Sequence, residues 1–464
     1  MKSLVSCSIR LKVWAYLQMA KIYGKAVWFD DPLEEKKSLS DKSIFTYCDN
    51  YQAIISKCID LMQNGVTLAD GTVVPSSLYM DWASYMNEES SEATTVYDHW
   101  TYMVPRAMML NLELRQWRGT EDDFKWIRNT ILTYMNNILS GVKDPEIPNW
   151  DTETNGEGNN SAVYFYQCNI PMTGQYYHIF FNQLYNSSNN TYFKGIINGI
   201  EYDYDNHQTN RIFEYFCPKL PGKYYLRPSS YAIGKYPETD LRGINQRSTM
   251  NVINGDTCFT KYYYYKGSYL RSKLVEINPV IPMYRSHDLH FMLAEAENHL
   301  GHWRAARDIL NTGLMNDPDW IEKTMPANKG WDSRYYFWSY GKSATDGYAN
   351  NGIVGCVNGQ SHVLPEPTDT SYHLTEEQRI KIYDLAIADE ALLEFCGEGK
   401  SYGYLVRMAE RYKNDAHDGL EYGPAIVANR VCPKYPSVKQ AAVRSAIEAG
   451  GYWVNWDLKV DSLK

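Results

Sequence analysis

The sequence lacks three things that would have named a function class quickly. It has no apolar run approaching the eighteen or so residues a membrane-spanning helix needs. It has no basic excess: 46 Lys and Arg stand against 55 Asp and Glu, a net charge of −9. Without a basic field to attract a phosphate backbone, no nucleic-acid partner is expected. The nine cysteines, at 7, 48, 58, 168, 217, 258, 356, 396 and 432, are odd in number and irregular in spacing. That excludes a disulfide scaffold or a zinc site of short repeated spacing. Leu4-Val5-Ser6-Cys7 spells a bacterial lipoprotein cleavage box, but only Met1, Lys2 and Ser3 precede it. That leaves no room for the apolar stretch of a signal peptide, so the match is read as coincidence unless the natural start lies upstream.

What the sequence does have is bulk and phenol. Its 464 residues, 44% hydrophobic, can build a substantial core. Forty tyrosines accompany thirteen tryptophans and thirteen phenylalanines, more hydroxyl than a core can satisfy, so many tyrosines are expected at surfaces and interfaces.

Periodicity divides the chain. Residues 9–24 place Leu11, Trp14, Leu17, Ala20 and Ile22 or Tyr23 on one face and stop at Gly24, predicting a buried helix. So abrupt an apolar start implies that an upstream partner element is absent from this chain. Further helices are predicted over about 44–62, 97–118 and 121–139. From 141 to 280 short alternating runs, at 163–166 and 261–265, predict loop with short strands. Residues 285–301 and 303–314 predict a helical hairpin, with Ala294, Ala296, Ala305 and Ala306 where two helices approach and Leu300-Gly301 at the turn. A second irregular stretch covers about 316–372, after which Thr375, with Glu377 and Gln378, opens another helix. The predicted fold class is mainly α: a tetratricopeptide-like helical-hairpin scaffold over about 9–140, 283–315 and 375–415. Loop-rich insertions with short strands at about 141–282 and 316–374 decorate it, all within a single domain spanning 1–464.

Residues 389–407, DEALLEFCGEGKSYGYLVR, contain two catalytic look-alikes. Gly399, Ser401 and Gly403 spell the G-x-S-x-G of a serine-hydrolase elbow, which requires a strand before the serine. Here Leu385, Ala388, Leu392 and Phe395 recur at helical spacing instead. Gly399-Lys400-Ser401 would end a phosphate loop if a glycine stood five residues earlier; that position is Glu394. The segment therefore reads as helix, glycine-braced turn, helix. Glu398, between two glycines, is expected to cap the second helix or pair with Lys400 or Arg407.

The order of these elements resembles the SusD/RagB family, surface glycan-binding lipoproteins of nutrient-uptake systems. The resemblance rests on the early helix 11–24, on Asp240-Leu241-Arg242, on the arginine-led hairpin 285–311 and on Glu398-Gly399…Leu405-Val406-Arg407. Trp453 and Trp456 echo the family's aromatic close. This chain departs from the pattern at Ala391 and Leu392, at Gly397 where phenylalanine is usual, and at Tyr404 where aspartate is usual. The resemblance implies a SusD-like fold and non-catalytic binding of oligosaccharide or polysaccharide at the outer-membrane surface. It also implies a SusC-like TonB-dependent transporter as partner and membrane association through a lipid anchor that this chain does not encode.

A sugar ring needs flat aromatic platforms beside amides and carboxylates. Trp150 beside Asp151, Asn155 and Asn159; Tyr202 and Tyr204 around Asp203; Tyr262 to Tyr265, chiefly Tyr263 and Tyr265; and Trp331, Tyr335 and Trp338 supply that chemistry. Taken singly, each is better read as packing a loop onto the scaffold. No cofactor is required. Asp151-x-Glu153-x-Asn155-Gly156 opens like a calcium loop, but its twelfth residue is Ala162 rather than a closing glutamate. His287 with His290, and His299 with His302, could share helix faces as metal ligands, though helix-end or surface histidines are the simpler reading. Two alternatives stay open. One is a glycoside hydrolase using carboxylates such as Asp151, Glu153, Asp203 and Asp205; the other is a helical-repeat interaction scaffold with no sugar ligand.

Overall fold

The computed structural model describes residues 1–29, 45–79, 103–139, 196–200, 212–218, 222–240, 242–244, 249–253, 255–262, 281–311, 353, 374–415 and 419–454. Among these the fold is mainly α, as the periodicity predicts, with four two-stranded antiparallel sheets, two of them within the stretch 9–140 expected to be helical. No described helix is long and apolar enough to cross a membrane. The chain divides into two compact units. The first comprises Met1–Tyr97, Val104–Asp123 and Leu405–Lys464; the second comprises Asp98–Met103 and Phe124–Tyr404.

In the first unit, α1 (Lys2–Tyr23) begins earlier than predicted and ends at Gly24, whose φ of 67° is left-handed and whose N–H returns to the Ala20 carbonyl at 3.2 Å. Its buried stripe is Ile9, Val13, Tyr16, Leu17 and Ala20. The predicted face is therefore rotated: Leu11 and Ile22 are exposed, because the Val13–Tyr16 side is the one that meets neighbouring elements. The Tyr16 ring lies 4.2 Å from that of Trp28 in β1 (Ala26–Phe29), and its hydroxyl donates to the Val27 carbonyl and accepts from the Phe29 N–H, each at 3.0 Å.

The helix predicted over 44–62 is a strand followed by a helix. Phe45–Cys48 forms β2, paired with β1 in the register Ala26↔Cys48 to Phe29↔Phe45. Asn50 then caps α2 (Tyr51–Asn64) by accepting from the Ala53 N–H at 2.9 Å. Helical spacing from Ile54 onward is genuine; the aromatic and β-branched Phe45-Thr46-Tyr47 before it suits a strand better. Past α2, Gly65 leads into β3 (Val66–Thr67), which pairs with β4 (Val73–Val74).

Next, α3 (Ala107–Arg118) carries Glu113, which binds Lys21 of α1 at 2.7 Å. Thr120 and Asp123 form a reciprocal cap at the start of α4 (Glu121–Leu139). Asp123 accepts from the Thr120 backbone N–H at 3.2 Å and donates its own to the Thr120 hydroxyl at 3.2 Å. The same carboxylate takes Arg115 at 3.0 Å and Arg118 at 2.6 Å. The C-terminal part of this unit returns to α1: the Trp453 ring stands 2.7 Å from where a Gly24 Cβ would lie, and the Val454 N–H donates to the Ile22 carbonyl at 3.0 Å.

In the second unit, β5 (Ile196–Ile200) pairs with β8 (Ile281–Arg285), which runs directly into α7 (Ser286–His299). Between them in sequence stand α5 (Ile212–Phe216), the short α6 (Ser230–Ile233) and the hairpin β6–β7 (Met250–Ile253, Asp256–Phe259). After α7 comes α8 (Trp303–Leu310), and the predicted hairpin is present: Gly301 turns it at φ 82°, and Ala294, Ala296, Ala305 and Ala306 are all buried. α9 (Glu376–Glu394) opens on the predicted Thr375–Gln378 capping box. Its middle is tied to α7 by polar groups rather than by the apolar stripe alone. Asn298 donates to Asp384 at 2.9 Å, His299 meets the other Asp384 oxygen at 2.8 Å, and Arg379 donates to Asn298 at 3.1 Å. α10 (Ser401–Arg411) begins in this unit; α11 (Pro424–Val431) and α12 (Ser437–Glu448), which belong to the first unit, complete the described helices.

Gly65 sits at φ 66°, ψ −153°, a region open essentially only to glycine, and a Cβ there would lie 2.0 Å from the Val74 carbonyl oxygen. Gly71, at φ 82°, has nothing within 4 Å of its Cβ position. Gly65→Ala is expected to cost at least about 3 kcal/mol of unfolding free energy and Gly71→Ala only about 1 kcal/mol. Urea melts followed by tryptophan fluorescence read the difference, and equal losses would refute it.

Candidate functional site

Three of the sequence motifs that stand apart in the chain converge on one buried set of charges in the second unit. Its floor is the turn from α9 to α10, where Gly397 and Gly399 adopt φ of 81° and 76° and let the chain reverse while Glu394 and Glu398 both point inward. Arg285, the last residue of β8, lies fully buried against them. Its guanidinium grips Glu398 through both carboxylate oxygens, at 3.0 and 2.9 Å, and pairs with Glu394 at 2.9 Å. Its backbone N–H donates to Asp288 at 2.8 Å, closing the first turn of α7. Fork-to-carboxylate geometry of this kind is the strongest form of ionic hydrogen bond and needs arginine rather than lysine.

Arg242 enters from the Asp240-x-Arg242 motif. It bonds Asp240 through Nε at 3.0 Å and Nη2 at 2.7 Å, and its third nitrogen reaches Glu394 at 3.1 Å and also Glu390. Lys261 supplies the third cation, bound to Glu398 at 2.6 Å and donating to the carbonyls of Glu394 at 2.8 Å and Cys396 at 3.0 Å. Those are carbonyls left open where α9 ends, and a cation there is also favoured by the helix dipole. Beside the cluster, Lys400 binds Asp288 at 2.6 Å and lies over the Phe395 ring.

The electrostatics follow from burial and count. Burial disfavours the Glu394 anion, yet His287, Arg285, Arg242 and Lys261 outweigh it and hold the carboxyl well below the usual range. Burial also pulls the His287 imidazole well below its ordinary value, so at neutral pH it is uncharged, and the two guanidiniums and the ammonium carry the effect. Burial likewise opposes the Glu398 anion, and Arg285, Lys261 and Lys400 again prevail, leaving its carboxyl lowered. Glu390 goes the other way: burial raises it, against the pull of Arg242.

This arrangement holds structure; it does not present a reaction centre. The side chains of Glu394, Glu398, Arg285 and Lys261 are wholly inaccessible, so no substrate reaches them. The elbow reading fails on context, since Ser401 opens a helix that follows a helix and a turn. Glu394, at the position where a phosphate loop would need glycine, is an anion clamped between arginines.

Several expectations are corrected by these contacts. Glu398 pairs with Arg285 and Lys261, not with Arg407 or Lys400 alone, because both partners arrive from segments more than a hundred residues upstream. His287 and His290 are buried rather than surface groups: His287 lies 3.5 Å from Glu394, and His290 bonds the Ser286 carbonyl at 2.7 Å. His299, at the end of α7, and His302, at the cap of α8, are helix-end groups as expected, and pair with Asp384 and Glu297. Among the described residues no group of three or more metal-ligating side chains is assembled. Lys261 and Tyr262, read as part of an alternating strand, form a turn in which the Tyr262 hydroxyl donates to the Gly397 carbonyl at 2.8 Å and its ring stacks on Phe216. The departures from the resembled pattern are also accommodated. The Phe259 ring stands 3.5 Å from the Cβ position of Gly397, and Tyr404 packs against Phe291 and Phe395.

The candidate ligand residues Trp150, Tyr202, Tyr204, Tyr263, Tyr265, Trp331, Tyr335 and Trp338 lie outside the described residues, as do Asp151, Glu153, Asp203 and Asp205. Cluster residues that sequence reasoning passed over are Lys261, Glu390 and Glu394; an acidic pair four apart on a helix was their only local signal.

Because Glu398 is held below its unfolded value, its contribution to stability is fully present above about pH 4.3 and is lost as pH falls through the folded value. Glu398→Gln is therefore expected to cost about 3–5 kcal/mol at pH 7, since it strands Arg285 and Lys261, and progressively less below pH 4. Urea melts at pH 7, 5 and 3.5 measure this, and a pH-independent difference would refute it.

Neither a protein-family model nor a curated protein sequence matches the chain. Among solved structures it is similar to a SusD superfamily protein from Bacteroides thetaiotaomicron, at 14% identity and TM-score 0.45, over 97% of this chain and 73% of that one. It is similar also to surface glycan-binding protein A from Bacteroides uniformis, at 14% identity and TM-score 0.45, over 90% of this chain and 67% of that one. A third is surface glycan-binding protein A from Bacteroides thetaiotaomicron, solved with laminarihexaose, at 15% identity and TM-score 0.40, over 97% and 77% of the two chains.

Proposed function

We propose that this chain is a non-catalytic glycan-binding protein of a bacterial outer-membrane surface that captures oligosaccharide or polysaccharide and passes it to a SusC-like TonB-dependent transporter. One observation carries the reading. Asp240-x-Arg242, Arg285 and Glu398, the charged members of three motifs by which the sequence resembles the SusD/RagB family, bond to one another or through Glu394 in a single buried cluster. Motifs matched by chance have no reason to meet. The resemblance brings with it capture without chemistry, and the lipid anchor and transporter partner that go with surface uptake.

Capture would work by stacking of sugar faces on aromatic side chains, with hydroxyls satisfied by neighbouring polar groups. Buried acids committed to arginine and lysine leave the cluster no part in hydrolysis. Titration calorimetry of the full chain against a panel of neutral oligosaccharides is expected to give saturable binding by at least one, with no release of reducing ends on prolonged incubation. The panel includes laminarihexaose, the ligand of the Bacteroides thetaiotaomicron surface glycan-binding protein A structure. Turnover of any glycan, or failure to bind all of them, would overturn the proposal.

A further inference from the structure

α5 and the segment 222–229 lie side by side: the Lys223 N–H donates to the Glu214 carbonyl at 2.9 Å and the Leu226 N–H to the Tyr215 carbonyl at 2.8 Å. Between those two bonds the backbone passes through Tyr224 at φ 51°, the one positive φ outside glycine among the described residues. A bulky side chain disfavours that conformation, and it persists only where the surroundings over-determine it. Here the Tyr224 hydroxyl is anchored on the Thr257 carbonyl of β7. The consequence is a division of labour between neighbours: Tyr224 is turned inward and Tyr225 outward.

Tyr225 is 62% exposed and meets Tyr215, 47% exposed, edge to face with ring centroids 5.9 Å apart. Leu226 extends the same exposed apolar stretch. The rim is polar: Glu214 and Lys223 pair at 3.1 Å, and the Lys223 ammonium lies 5.8 Å from the Tyr225 ring. Beneath, the adjacent residue Phe216 is buried, 5.3 Å from Phe259 and stacked on Tyr262, whose hydroxyl bonds the Gly397 carbonyl. Two aromatic rings are thus kept in water by a strained, anchored backbone braced from below, the reverse of what burial alone would select.

We propose that Tyr215 and Tyr225 form a stacking platform for a saccharide, with Glu214 and Lys223 serving its hydroxyls at the rim. The chemistry is that of a ligand with flat C–H faces framed by hydroxyl groups. A net charge of −9 weighs against a polyanion. The proposal rests on the glycan-binding reading but names residues separate from the aromatic loops considered above.

The test is calorimetry of the full chain and of the double variant Tyr215→Ala/Tyr225→Ala against gluco-, manno-, xylo- and galacto-hexasaccharides. The oligosaccharide bound by the wild type is expected to bind the alanine variant at least about tenfold more weakly. Tyr215→Phe/Tyr225→Phe, which keeps both ring faces, is expected to stay within about threefold of wild type. Both substitutions are at exposed positions, so an unchanged circular dichroism spectrum accompanies either result. Undiminished binding by the alanine variant overturns the platform while leaving the glycan-binding reading intact. A loss as large in the phenylalanine variant as in the alanine variant overturns stacking as the mode of contact. Absence of binding by the wild type removes both proposals together.

Discussion

The bidentate bond between Arg285 and Glu398 is the contact on which the second unit turns. It joins the end of a strand and the beginning of α7 to the glycine-braced turn between α9 and α10, in a place water does not reach. A buried charge is tolerated only if its partners are complete, so this one bond commits the chain to the rest. Glu394 needs Arg242, Arg242 needs Asp240, and Glu398 has room for Lys261 as well. Apolar residues of similar volume could fill the same space at comparable stability. What they would not supply is the geometric selectivity of a guanidinium that fits its carboxylate in one orientation.

The helices were legible because helical periodicity and capping are local. Gly24, Thr375 with Gln378, and Leu300-Gly301 each announced a boundary that the structure keeps. Local reading failed where a strand pairing decided the outcome, at Phe45–Cys48, since the partner Ala26–Phe29 lies some twenty residues away. It failed differently on α1, where two apolar stripes run along one helix and only the packing partner chooses between them. The buried charges were the least legible of all. Glu390 and Glu394 look like the solvated side of a helix until Arg242 and Arg285 arrive from 109 to 152 residues away. Conversely, the G-x-S-x-G spelling at Ser401 was legible and empty, because the preceding helix denied it the strand on which that chemistry depends.

The buried charge cluster and the exposed tyrosine pair proposed as a platform stand apart in this unit, yet they are mechanically joined. From Gly397 a short chain of contacts runs through Tyr262 to Phe216 and so to the base of α5, whose neighbouring Tyr215 faces solvent. Rigid support of this kind spares a flat surface residue the loss of rotamer freedom on binding, which otherwise weakens contacts made by mobile side chains.

The first unit is assembled from pieces at both ends of the described chain, with Trp453 seated on Gly24. A ribosome makes the early helices first and α12 last. The roughly 280 residues between Asp123 and Leu405 take tens of seconds to emerge at about 5–20 residues per second. For that interval the seat at the end of α1, Gly24 and the Ile22 carbonyl, has neither the Trp453 ring nor the Val454 N–H that close it. When the end of α1 is closed is thus set by chain order rather than by stability.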